Sequence, residues 1–175
     1  MNVFRTLPAL AIAALLGACA SPSPAPVLLT LPPSALNAAA PAPPAPASAP
    51  VLAVRRVVIP EYLVARRVRY RADASTLAEW PNTYWAERIE IGVSREFVSA
   101  LRAQLPGWAF CETNCGDQSP ALNMQLELVP MDYLRAAQKL QGRARITLSG
   151  AGAAAPMLQT QELPIDIARY AARRA

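Results

Sequence analysis

The sequence predicts an α+β fold: a single domain with a mixed or antiparallel sheet, one long helix and a short C-terminal helix packed on it. Three observations lead there. Beyond position 51, short segments alternate apolar and polar residues in two groups. Between those groups, over 83–105, the apolar residues switch to a helical period. The 175 residues also suffice for one domain with a real core, and not for two ordinary ones. Strands in two groups around one helix suit a sheet with helical cover on one face.

Each element follows in chain order. Residues 52–59 are rich in Val and end at Pro60, which reads as a strand. Arg67, Arg69 and Arg71 alternate with Val68 and Tyr70, a second strand with one basic face. Residues 76–80 read as a third strand, closed by Pro81. In the helical segment, Ala86, Ile89, Val93, Phe97, Ala100 and Leu101 share a face. Asn82 or Thr83 can cap its start, and Pro106-Gly107 stops it. At that length the helix runs about 34 Å. Trp80, Tyr84 and Trp85 crowd its start, either as core and staple residues or as an exposed contact patch. Leu122, Met124, Leu126 and Leu128 then alternate with polar residues in a half-buried strand that Pro130 ends. Residues 140–148 alternate again, with Arg143, Arg145 and Thr147 on the other face. Residues 150–155 read as a turn, 157–163 as a last strand and 165–175 as the short helix.

The N-terminal part is of another kind. Between Arg5 and Arg55 there is no Asp, Glu, Lys or Arg, a gap of 49 positions. A globular chain, about a quarter charged, rarely leaves such a stretch. Residues 1–18 have the layout of a secretory signal: Arg5, an apolar run over 7–16, then small residues. The run is about half the ~20 residues that a bilayer span needs. Leu16-Gly17-Ala18-Cys19 resembles the bacterial lipobox, in which the Cys is acylated, palmitate included, and becomes the first mature residue. Several acyl chains hold such a protein stably where one would not. An ordinary signal with an incidental Cys19 is the competing reading. Ala20 follows Cys19, where inner-membrane retention commonly uses Asp, so the expected site is the periplasmic face of the outer membrane. Residues 19–50 are a Pro/Ala-rich tether and loop, with 10 prolines between Ala20 and Pro50. Residues 27–31 interrupt it as a short apolar run that suits a strand. If that strand pairs into the domain, the tether is 20–26 and reaches roughly 20 Å; otherwise it reaches roughly 95 Å. Residues 51–175 form the folded domain.

The chemistry is spare. There is no His, which removes Ser–His and Cys–His catalysis and every His-ligated metal site. From Arg55 onward, 16 basic residues face 12 acidic ones, too mild a balance for a dedicated nucleic-acid binder. Glu87 and Glu90 lie one helical turn apart, and solvated helix residues explain them better than a catalytic pair. No glycine-rich phosphate loop occurs. The expectation is a protein without enzymatic activity. Cys111 and Cys115, four positions apart, can close a small disulfide loop in an oxidising compartment. Their spacing disfavours a redox centre, and the lack of further ligands disfavours zinc. Arg88, Arg95 and Arg102 recur every seven residues opposite the apolar helix face, with no Asp or Glu three or four positions away. With Arg67, Arg69 and Arg71 they offer two basic strips to acidic neighbours or lipid headgroups. Plain solvation in an Arg-rich chain is the alternative.

Val57-Val58-Ile59-Pro60-Glu61-Tyr62-Leu63 resembles a strand ending in Pro-x-Tyr-Leu in the PqiC-type ABC-transport auxiliary lipoproteins. Val68-Arg69-Tyr70-Arg71 resembles the strand that follows, and Trp85-Ala86-Glu87 the opening of that family's long helix. Residues 27–31 sit where the family has a short strand soon after the lipidated Cys. The sequence departs from the pattern at Val64 and Arg66, where the family often has Asp and Pro. Its Pro/Ala insertion is long, and its C-terminal helix stops early, at Ala175. The resemblance implies a non-enzymatic outer-membrane lipoprotein that docks onto an MCE-type periplasmic lipid-transport subunit and its associated membrane proteins. It admits a homo-oligomeric ring and implies no cofactor. A freestanding envelope-structural or assembly lipoprotein is the alternative function.

Overall fold

The longest strand organises the rest. A computed structural model describes residues 24–32, 45–112 and 115–150, and the backbone of 157–166. In chain order the strands are β1 (Val27–Leu29), β2 (Val51–Val54), β3 (Arg67–Arg71) and β4 (Leu77–Trp85). Helix α1 (Ile89–Gln104) follows, then β5 (Ala109–Cys111), β6 (Leu122–Leu134), β7 (Lys139–Gly150) and β8 (Met157–Asp166). The strands form one mixed sheet in the order β1-β4-β3-β6-β2-β5, with β7 on β6 and β8 on β7. One edge of β6 takes β2 in parallel, Leu52 opposite Leu122, and then β3, Arg71 opposite Leu134. Its other edge takes β7 antiparallel. The result is an α+β domain.

The core lies where α1 crosses β2, β6 and β7. Leu52, Val54, Val98 and Met124 form one buried cluster; Val57, Ile59, Ile89, Leu126 and Ala144 form another. Phe97 and Ile146 pack against both and join them. Ser94 ties the helix to the chain leaving β2. Its hydroxyl donates to the Glu90 carbonyl at 2.6 Å and accepts from the buried Val57 N–H at 2.9 Å. Ser94→Ala should therefore cost about 1–3 kcal/mol, since the Val57 N–H loses its acceptor. Urea unfolding checks this, and a loss near zero would mean that the amide finds water.

Two prolines read as strand ends prove not to be ends. The β4 ladder passes Pro81: Glu79 pairs with Arg69 and Tyr84 with Arg67, so residues between them bulge out. Asn82 sits there at φ 51°, a left-handed conformation that Asn tolerates. In β6 the register shifts between Leu128 and Met131, which takes Pro130 out of the ladder with β7. A proline lacks only an N–H, and a bulge needs none at that point.

The helix start is corrected by the same pairing. Thr83, Tyr84 and Trp85 lie in parallel register with Val27, Leu28 and Leu29. Their backbone groups are engaged in the sheet, so α1 begins at Ile89, with Arg88 as N-cap. Neither Asn82 nor Thr83 caps it. The helix has 16 residues, about 24 Å. At the C-terminal end, Ile165 and Asp166 belong to β8, opposite Leu140 and Lys139. A ladder running that far satisfies the backbone as a strand and removes the start of the expected short helix. The rest of that helix lies outside the described residues, as do residues 151–155 of the expected turn.

Candidate functional site

The six arginines singled out by sequence fall into two places, and all have acidic partners. On β3, Arg67 and Arg69 share Glu79 of β4, at 3.2 and 3.1 Å. Arg69 also donates to the Tyr62 carbonyl at 2.8 Å. Arg71 donates to both oxygens of Asp132 on β6, at 3.1 and 3.2 Å. The Tyr62 hydroxyl donates to the same carboxylate at 2.8 Å. Burial first, and then the Asp132 carboxylate, push the Tyr62 hydroxyl pKa up and keep it a donor. This basic face is thus stitched to its neighbours across the sheet.

The helix strip is paired too. Arg88 pairs with the buried carboxylate of Glu90, which the positive end of the helix also favours. Arg95 meets Glu87 at 2.8 Å and Glu96 at 3.2 Å, and Arg102 meets Glu112 at 2.9 Å. The Arg95 hydrogen bond holds the Glu87 carboxyl below its usual range. The expectation of unpartnered charges fails for a spatial reason. The carboxylates come from Glu87 before the helix, Glu112 after it, and positions one or two residues away. A search at helical spacing passes over all of them.

Sequence reasoning missed the arginines that lack such partners. Arg55 and Arg56, just after β2, are exposed and have no acidic partner among the described residues. They line a cleft with Val54, Ile91, Arg95 and Glu112. An adjoining depression runs from them to Cys111 and Cys115, which are joined Sγ to Sγ with Cα atoms 5.3 Å apart. The arrangement brings Arg95 of the helix strip beside Arg55 and Arg56, with the Arg102–Glu112 pair at the rim. The signal was the Arg-Arg pair itself, which interrupts the strand expected over 52–59; β2 ends at Val54, just before it.

The aromatic residues separate. Trp85 packs against the core, while Tyr84 lies under Arg67 at 5.5 Å. Trp80 stacks on Tyr133 at 5.3 Å and meets Tyr70 at 5.0 Å, with the Arg135 guanidinium over Tyr70 at 5.1 Å. Trp80 is therefore a sheet residue and not a staple of the helix start. No group of three or more metal-ligating side chains occurs among the described residues, and none of their helices is long and apolar enough to cross a membrane. Cys19 lies outside the described residues.

Fold and cleft define the class: a small α+β domain with one helix across its sheet and an arginine-lined cleft at the helix flank. The chain belongs to the family of ABC-type transport auxiliary lipoprotein components, with the match covering residues 30–172. Two solved structures share the fold. One is the crystal structure of an uncharacterized protein, 18% identical, TM-score 0.61, covering 82% of this chain and 81% of that one. The other is protein XCC0632 from Xanthomonas campestris, of the DUF330 type, 16% identical, TM-score 0.52, covering 85% and 82%. No curated protein matches the sequence.

Proposed function

We propose that the chain is a lipid-anchored, non-enzymatic auxiliary subunit of an MCE/ABC-type intermembrane lipid transport system. It sits on the periplasmic face of the outer membrane and supports membrane integrity by docking to the periplasmic conduit. Membership of the transport-auxiliary lipoprotein family carries this reading. The resemblance to the PqiC type supports the finer assignment. Its motif positions are structural here: Val57, Ile59 and Val68 are buried, while Leu63 and Trp85 pack against the core. The docking contact we assign to the cleft of Arg55, Arg56 and Arg95, with Arg102 beside it through Glu112. Among the described residues Arg55 and Arg56 have no carboxylate partner, so an acidic partner surface gains their full attraction.

Detergent pull-down of the tagged full chain tests the proposal. An MCE-type subunit should copurify, and recovery should fall as salt rises. Arg55→Gln with Arg56→Gln should lower recovery several-fold and flatten that salt dependence without unfolding the domain. Recovery free of any MCE subunit would favour a freestanding envelope lipoprotein. Equal yields for variant and wild type across the salt series would move the contact elsewhere.

A further inference from the structure

Among the described residues, strand β1 lies at an end of the sheet and is paired on one side only, to β4. Its three side chains are apolar and exposed on both faces of the strand: Val27 52%, Leu28 56% and Leu29 37%. An apolar open edge is a hazard in water, where it invites pairing with other chains. It is also firmly held. Leu31 packs into the core and approaches α1 at Gly92, where an added Cβ would lie 3.2 Å from Leu31 Cδ1. At its other end, the Asn82 side-chain amide donates to the carbonyls of Pro24 and Ala25, at 2.6 and 2.9 Å.

The chain is therefore fixed to the domain from Pro24 onward, five Cα steps after Cys19. Five steps span at most about 18 Å. A domain of this size is roughly 36 Å across, twice that reach. An anchor at Cys19 leaves no room for the domain to turn its far side to the bilayer. Pro24 must lie within that reach of the bilayer surface, which keeps the Pro24–Leu29 edge on the membrane-proximal half of the domain. We infer that this edge rests on the bilayer, with Val27, Leu28 and Leu29 seated in the interfacial region of the lipid. Exposed Arg66, whose carbonyl accepts from Trp85 N–H beside Leu29, stands close enough to serve lipid phosphates. Lipid covers the open edge and so removes the hazard. The anchor and the edge together set how the Arg55–Arg56 cleft is presented to the periplasm. This inference rests on acylation of Cys19 in the proposed function.

The test uses the lipidated full chain, reconstituted in vesicles of phosphatidylethanolamine and phosphatidylglycerol. With Cys19 acylated and Cys111 bonded to Cys115, a cysteine introduced by Leu28→Cys is the one free thiol and takes an environment-sensitive dye. Gln104→Cys, at the far end of α1, is the control. The dye at position 28 should brighten several-fold on reconstitution and be quenched by nitroxides held at shallow depth, while position 104 reads water. A dye at 28 that reads water on protein that pellets with vesicles would overturn the inference, leaving the anchor and the partner contact intact. Brightening in detergent that grows with protein concentration would overturn it in favour of a second copy. Protein that fails to pellet would remove the anchor itself, and with it this inference.

Discussion

Truncating Leu52 to Ala should cost about 2–5 kcal/mol of folding stability, the range for large-to-small changes in a packed core. Leu52 is 2% exposed, on a strand paired to β5 on one side and β6 on the other. It shares a cluster with Val54, Met124 and Val98 of the helix. Neighbours fixed by two ladders and a helix cannot close readily around the lost side chain, so the cavity term should be large. At about 3–5 °C per kcal/mol for a domain of this size, the midpoint of thermal unfolding should fall by roughly 6–25 °C. Leu28→Ala, the same chemical change at an exposed edge, should stay within about 0.5 kcal/mol. Comparable losses at the two positions would contradict the placement of the core.

How far the sequence can be read is plain from particular elements. Alternation located β3, most of β6 and most of β7, because each has one face on the core and one in water. The apolar period of 3.6 located the body of α1 for the same reason. Boundaries failed where pairing outweighed local preference. Thr83, Tyr84 and Trp85 satisfy a helical pattern as well as an extended one, and the parallel β1 partner 55 or more positions away decides between them. Pro81 and Pro130 are strong local stops, but a bulge lets each ladder pass. Strand β5 is too short to show any period, and it exists because β2 offers it a parallel edge. The docking surface was legible only as a surplus of arginine. Which arginines have carboxylate partners is a property of three-dimensional neighbours, and Glu79, Asp132 and Glu112 are each ten or more positions from the guanidinium they meet.

Cys19→Ser should transfer the protein from the membrane fraction to the soluble periplasmic fraction. The effect should be close to all-or-none. Each buried methylene contributes about 0.8 kcal/mol, and a lipoprotein's several acyl chains bring dozens of them. Nothing else in the described chain replaces that anchor: Val27, Leu28 and Leu29 are three side chains, and none of the described helices can cross a bilayer. The domain itself should fold unchanged, since β1 is held by its ladder to β4, by Asn82 and by Leu31, all downstream of the substitution. Fractionation should thus show a soluble variant with wild-type unfolding behaviour. A soluble variant should still recover its transport partner from detergent extract, because the Arg55–Arg56 cleft does not involve the tether. Unchanged membrane partitioning of Cys19→Ser would instead show that protein contacts, and not acyl chains, hold the chain at the membrane.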